Sequence, residues 1–270
     1  MRTVLTIAGS DCSGGAGVQA DIKTIAAHRL YAMSAITALT AQNTTGVYGV
    51  AATAPAFLGQ QLDCVFQDIP PDAVKIGMVF DEGLIEVIAE RLERYGARNV
   101  VVDPVMIATS GSRLLCERAQ QRLAERLLPL GDVITPNIPE AEALCGFVIR
   151  DEADMLRAAE ALRGRIRGGV LIKGGHLAAS ADDLLLDGQG AHWFRAPRVD
   201  NPNTHGTGCT LSSAIACNLA LGSSAAESVA KAKAYVTGAL AAGLNLGRGS
   251  GPLDHGYWLA RRGGETEGSA

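Results

Sequence analysis

The segment with the most chemistry to offer is Asn203-Thr204-His205-Gly206-Thr207-Gly208-Cys209-Thr210, which runs straight into an apolar helical stretch. A helix start presents N–H groups that no carbonyl of its own helix accepts, with the positive end of the dipole behind them. Gly206 and Gly208 remove side chains that would hold an anion off, so the turn suits a phosphoryl group in transit. Cys209 opens the helix, where dipole and amides favour a thiolate. It is a candidate general base for an attacking hydroxyl, or a lining residue. A tight loop capping a buried helix is the plain alternative, and a lone Gly-x-Gly would favour it. The neighbouring Thr, His and Cys shift the preference to function. Cys217, further along the same helix, reads as an inert buried thiol.

Four other segments end strands with polar residues. Ala8-Gly9-Ser10-Asp11-Cys12-Ser13-Gly14-Gly15-Ala16-Gly17 is a glycine-rich strand-to-helix turn, without the spaced dinucleotide fingerprint or a P-loop lysine. Asp21, one turn into the next helix, is placed to reach back over that loop; its plain reading is a surface carboxylate near a helix start. Asn137-Ile138-Pro139-Glu140 reads either as a capping box or as an organiser of Mg²⁺ and its waters, joined by Asp103 before Pro104. Lys173, before Gly174-Gly175-His176, is suited to ATP phosphates. Gln42, in Thr40-Ala41-Gln42-Asn43, offers an amide donor and acceptor that could read an aminopyrimidine edge.

These residues sit between alternating short β-rich runs and longer helical stretches. Strands are expected at Val4–Ala8, Tyr31–Leu39, Ala73–Ile76, Asn99–Val102, Val133–Thr135 and Gly169–Lys173, with Val47–Ala52 as an edge strand or hairpin arm. Asp183–Leu186 and Ala191–Phe194 read as a hairpin. Helices are expected at Val18–His28, Ala56–Phe66, Leu84–Arg94, Glu117–Leu128, Pro139–Cys145, Asp151–Arg163, Gly208–Leu221 and Ala225–Leu244. This alternation predicts an α/β fold with a mainly parallel sheet between two helical layers, its ligand beyond the carboxyl ends of the strands. No linker divides the 270 residues, so one domain is expected over 1–262, with a disordered polar tail over 263–270. A net charge of −4 and 4% aromatics argue against nucleic acid as a partner. No apolar run is long enough to span a membrane, and the six cysteines form no CxxC pair, so a cytoplasmic protein with reduced thiols is expected.

Taken together, LTIAGSDCSGGAGVQADIKT, ITALTAQNTTGV, VKIGM, VVDPVM, ITPNIPEAE, LIKGGH and NTHGTGCTLSSAIA resemble the hydroxymethylpyrimidine/phosphomethylpyrimidine kinases of thiamine biosynthesis, from Leu5 to about His255. The resemblance implies a three-layer ribokinase-like fold without a large lid domain, using ATP and Mg²⁺. It implies two transfers, first to the hydroxymethyl oxygen of 4-amino-5-hydroxymethyl-2-methylpyrimidine and then to the monophosphate. It places Gln42, Gly9, Asp21, Met78 and Val105 around the pyrimidine. Asp103, Asn137, Glu140, Lys173 and Thr207 fall to Mg-ATP, and Gly206, Gly208, Cys209 and Lys173 to catalysis. The resemblance also implies a homodimer, since family members commonly form dimers, and many in the wider superfamily carry Asp at the position of Cys209. The run Gly249-Ser250-Gly251-Pro252-Leu253-Asp254-His255 is close to the family's Gly-x-Gly-Pro-x-x-His. A pyridoxal or pyridoxine kinase on the same scaffold, or a non-catalytic vitamin-precursor binder, are the competing readings. An amide at Gln42 speaks against the first, and the retained Lys173, Asn137, Glu140 and Cys209 against the second.

Overall fold

The structure, a computed structural model, describes residues 1–106, 115–175, 182–196 and 199–259. The short apolar runs form β1 (Thr3–Asp11), β2 (Tyr31–Asn43), β3 (Gly46–Ala52), β4 (Ala73–Ile76), β5 (Val100–Val102), β6 (Val133–Ile134), β7 (Gly169–Ile172), β8 (Asp183–Asp187) and β9 (Gly190–Phe194). The longer stretches between them form α1 (Gly17–Ala27), α2 (Pro55–Asp68), α3 (Glu82–Tyr95), α4 (Glu117–Arg122), α5 (Ile138–Cys145), α6 (Glu152–Arg163), α7 (Thr207–Ala220) and α8 (Ala225–Ala241). His176 and the tail over 263–270 lie outside the described residues.

The strands form one sheet in the order β3-β2-β1-β4-β5-β6-β7-β8-β9. β2, β1, β4, β5, β6 and β7 run parallel, while β3 at one edge and β8 and β9 at the other pair antiparallel. Strands β4 to β7 are buried at every residue and read as continuous apolar runs, as strands covered on both faces must. Lys75 is the exception. Alternate residues feed two cores. Leu5, Ile7, Val74, Val100 and Ile134 pack against Leu58, Leu62, Ile85, Ile88 and Leu162 of α2, α3 and α6. Val4, Ala73, Val101, Val133 and Leu171 pack against Ile25, Ala214, Ile215 and Val229 of α1, α7 and α8. This is the three-layer arrangement the alternation predicts.

Two elements differ from expectation. The helix expected over Glu117–Leu128 is α-helical only to Arg122, then winds as a π turn (Leu123–Leu127) and a 3₁₀ turn (Leu128–Leu130). Pro129 supplies no N–H to an α-helical ladder, so regular winding ends ahead of it. β2 runs past Leu39 to Asn43 because the chain folds back as β3, pairing Ala38 with Ala52 and Asn43 with Gly46. Gln42 therefore lies on a strand and not after it. The chain leaves β1 for β2 on one side and returns as β4 on the other, so the strand order reverses there. Parallel α/β sheets open a ligand crevice at such a switch point.

Candidate active site

The crevice is built from two glycine turns at opposite ends of the chain. Gly206 opens α7 in the left-handed region (φ +82), and a Cβ on it would lie 1.9 Å from the Gly15 carbonyl oxygen. The turn after β1 and the turn before α7 therefore pack backbone against backbone. Gly206 brings no capping side chain and the first turn of α7 holds no acidic residue; the Thr207 N–H donates to the Thr204 carbonyl at 3.2 Å, and among the described residues no side chain caps the amides after it. Thr207 is half-buried there, its hydroxyl donating to the Thr204 carbonyl at 2.8 Å. At the switch point, Gly9 is buried under the half-buried Met78, whose methyl occupies the space a Cβ would need. Val105, half-buried, follows Asp103-Pro104 at the end of β5.

On the other flank of the α7 turn stands an ion pair. Lys173 Nζ donates to Asp103 Oδ1 at 2.9 Å, and Thr135 Oγ1 donates to the same oxygen at 3.0 Å. A Cβ on Gly208 would lie 3.4 Å from Asp103 Oδ2 and 3.5 Å from Lys173 Nζ, so the first turn of α7 rests against both. Burial opposes the charge of Lys173, but Asp103 and Glu140 outweigh it and hold the amine above its ordinary value. Asn137 pairs with Lys173 through a β-bridge, and with Glu140 it closes a capping box on α5. The Asn137 N–H donates to Glu140 Oε2 at 2.8 Å, and the Glu140 N–H to Asn137 Oδ1 at 2.9 Å. Burial pushes Glu140 up to about 7, against the pull of Lys173. Asp103, Asn137, Glu140 and Lys173 are thus linked to one another, with the start of α7 at Gly208 against Asp103 and Lys173.

On the β2 side, a cleft of about 330 Å³ is lined by Gln42, Thr44, His205, Gly249 and Ser250. The Gln42 amide nitrogen lies 3.3 Å from His205 Nε2, and its oxygen 3.1 Å from Thr40 Oγ1. His205 Nε2 lies 2.8 Å from Asp11 Oδ2. Burial alone would raise the Asp11 carboxyl, but His205 and Ser13 pull it down to about 2. The Gly249–His255 run and the residue before it border this cleft: the Arg248 and Gly249 N–H groups both donate to Thr44 Oγ1 at 3.2 Å.

Two expectations are corrected here. Asp21 does not line the pocket. It is fully buried, and its two oxygens take Lys75 Nζ at 2.9 and 2.8 Å, the Thr6 hydroxyl at 2.5 Å and the Ser213 hydroxyl at 2.7 Å. The α1 face that carries Asp21 packs onto the sheet, so the carboxylate points inward. Cys209 does not have a thiol lowered by its helix start. Burial pushes it above its ordinary value, and the nearby Lys75 cation and the Gly17 N–H only partly offset this.

The family model for phosphomethylpyrimidine kinase matches residues 11–254. The chain is 50% identical, over 256 residues, to a hydroxymethylpyrimidine/phosphomethylpyrimidine kinase of Streptomyces coelicolor, covering 95% of each chain. It belongs to the phosphomethylpyrimidine kinase family. This kinase is also 52% identical to a thiamine biosynthesis bifunctional protein of Geobacter sulfurreducens, where it covers 94% of its own length but spans only 52% of that relative. Among solved structures, pyridoxal kinase of Staphylococcus aureus in complex with AMP-PCP and pyridoxal superposes with a TM-score of 0.87 at 35% identity, covering 96% of this chain and 95% of that one.

The donor set of the kinase suits a magnesium ion brought in on phosphates. Asp103 and Glu140 are hard oxygen donors beside Lys173, and among the described residues no three His, Cys, Asp or Glu side chains converge as a metal cage. Mg²⁺ keeps most of its waters and needs few protein oxygens. Reading the sequence missed the contacts of Asp11, His205 and Thr40 with Gln42 and its neighbours, and Lys75 as the buried partner of Asp21. Lys75 carried a signal: a lone cation inside the apolar run Ala73-Val74-Lys75-Ile76 must find a buried partner. The others sit in quoted motifs, but only their contacts across the fold reveal what they do.

Proposed function

We propose that this kinase transfers the γ-phosphoryl group of Mg-ATP to the 5-hydroxymethyl oxygen of 4-amino-5-hydroxymethyl-2-methylpyrimidine, and in a second turnover to the monophosphate so formed. One juxtaposition carries the reading: the Gly206–Cys209 turn touches the Asp103–Lys173 pair on one flank and the Gly15 turn, beside Gln42, on the other. The alcohol oxygen attacks the phosphorus in line, and catalysis is mainly positioning and charge stabilisation. The amides of Gly206–Cys209 meet the negative charge on the moving group. Lys173 exchanges Asp103 for phosphate oxygens. Mg²⁺ would neutralise those oxygens, with Asp103, Asn137 and Glu140 holding its waters. Cys209 is the candidate base; burial holds its thiol above the ordinary value, and Lys75 and the Gly17 N–H offset part of that cost. Gly9, Met78 and Val105 supply the floor for the ring, and Gln42 reads its edge.

The kinase works in the cytoplasm as a homodimer in this reading, free of membrane and nucleic acid. Exposed Leu39, Tyr48 and Val50 on the β2–β3 edge support a partner copy. Among the described residues no helix is long and apolar enough to cross a membrane. Mass spectrometry of products from Mg-ATP with the aminopyrimidine alcohol, and separately with pyridoxine, tests the reaction. The expected products are the aminopyrimidine mono- and diphosphates. Phosphorylation of pyridoxine alone would replace the reading by a pyridoxine kinase, and no transfer to either by a binding protein. Gln42→Leu is expected to weaken use of the aminopyrimidine more than of pyridoxine; equal loss on both removes the role of Gln42.

A further inference from the structure

The contacts that grip Gln42 carry more information than their distances. His205 Nε2 lies 2.8 Å from Asp11 Oδ2 and 3.3 Å from the Gln42 amide nitrogen. A ring nitrogen holds at most one hydrogen. Asp11 is a carboxylate: its oxygens also accept the N–H groups of Ser13, Gly15 and Ala16 and the Ser13 hydroxyl. A bare imidazole lone pair would repel a carboxylate oxygen at 2.8 Å, so the hydrogen sits on Nε2 and points at Asp11. Nε2 then has no lone pair for the Gln42 NH₂, whereas an oxygen in that place shares the hydrogen that points at Asp11. At the other end of the amide, Thr40 Oγ1 donates to the Ser10 carbonyl at 2.9 Å, which leaves it only lone pairs for Gln42. An amide with its NH₂ on His205 and its oxygen on Thr40 sets donor against donor and acceptor against acceptor. A half-turn of the amide plane satisfies both ends together, because oxygen and nitrogen exchange places with almost no change of shape.

We infer that Asp11 and His205 are positioning residues that set the polarity of the Gln42 amide, and that this polarity selects the heterocycle by its donor and acceptor order. The inference rests on the aminopyrimidine reading above. The hydrogen on His205 Nε2, shared with Asp11, faces the outer lone pair of the amide oxygen, and Thr40 takes the outer hydrogen of the nitrogen. The inner edge, one lone pair beside one N–H, is left for a ligand in the cleft. A 4-aminopyrimidine offers an amine donor beside a ring-nitrogen acceptor and fits that edge in one sense. The 4-oxo counterpart offers a carbonyl acceptor beside a ring N–H and fits only an amide turned the other way. The imidazole is fixed in place from two sides. A Cβ on Gly15 would overlap its ring, so the loop is shaped around it, and the His205 N–H donates to the Gly251 carbonyl at 3.1 Å.

The test compares kcat/KM for 4-amino-5-hydroxymethyl-2-methylpyrimidine and its 4-oxo counterpart in the wild-type kinase and in His205→Phe, His205→Gln and Thr40→Val. The wild type is expected to prefer the amine by at least about 100-fold, since a site built for one hydrogen-bond order leaves the other mispaired. In His205→Phe the amide keeps only its Thr40 anchor, and the preference falls at least about tenfold, mainly through a higher KM for the amine. His205→Gln keeps an N–H that reaches both Asp11 and Gln42, and restores the preference to within about threefold of wild type. Thr40→Val frees the other end and lowers the preference in the same direction, which decides between the outcomes should His205→Phe not fold. If both acceptors lose kcat/KM together and their ratio stays put in either variant, His205 is merely structural and the inference is overturned. Equal use of the two acceptors by the wild type overturns it as well, while leaving the kinase reading intact. A wild type that phosphorylates neither acceptor removes that reading and the inference with it.

Discussion

Lys75→Met deletes one charge from a closed compartment while keeping a side chain of similar length. In the native protein the Lys75 amine lies 2.9 and 2.8 Å from the two oxygens of Asp21, and neither side chain has exposed surface. Removing the cation leaves a carboxylate with only the Thr6 and Ser213 hydroxyls to compensate it. Breaking one side of such a buried pair costs about 3–5 kcal/mol, because the surviving charge has no water to return to. Methionine fills most of the vacated volume, so a cavity adds little. For a chain of this length each kcal/mol lowers Tm by about 2 °C, which gives a fall of about 6–10 °C. Asp21→Asn in the Lys75→Met background removes the stranded charge and still accepts a hydroxyl. It should recover at least about 2 kcal/mol as a coupling energy between the two sites. Urea unfolding at neutral pH, followed by far-UV circular dichroism on wild type, both single variants and the double variant, measures the cycle. A loss below about 1 kcal/mol in Lys75→Met, or no recovery in the double variant, would refute the argument from a dry, isolated pair.

Three further outcomes are expected. Gly206→Ala forces a side chain into the left-handed region and onto the Gly15 carbonyl; it should lower kcat/KM at least about 100-fold by moving the amides, and retention within about threefold would mean the turn does not cradle the phosphoryl group. Asp11, held at about 2 against an ordinary 3.8, lends the fold stability that is present above the higher value and lost as pH falls through the lower one. Asp11→Asn should therefore be about 1–2 kcal/mol less stable at neutral pH, with the gap closing toward about pH 2; a pH-independent gap contradicts this. Cys209→Ala should lower turnover at least about tenfold with little change in ATP affinity, and should remove a rise in rate from neutral to alkaline pH that the wild type shows as its elevated thiol ionises. Undiminished turnover would take the thiol out of the chemistry.

Local pattern was enough for the scaffold. Apolar runs and helical periodicity located the strands of the sheet and the helices that cover it, Ala73–Ile76 to the residue, because periodicity and capping depend on near neighbours. The Asn137–Glu140 capping box was legible for the same reason, three residues apart on one turn. Pairing changed what neighbours alone implied. β2 extends to Gln42 only because β3 folds back on it, and a strand places that amide differently from a loop.

Asp21 marks the limit most clearly. In sequence it is a carboxylate near a helix start, where a surface position costs nothing. In the fold, β1 and β4 pair with Thr6 opposite Lys75, α1 covers that face, and α7 brings Ser213 from the far end of the chain. The order of residue types along the chain decided which segments become strands, helices and glycine turns, since those choices are made within a few residues. Which polar atoms face one another was decided only when parallel pairing and helix packing set distant segments at hydrogen-bond distance, where one proton more or less changes the sign of an interaction.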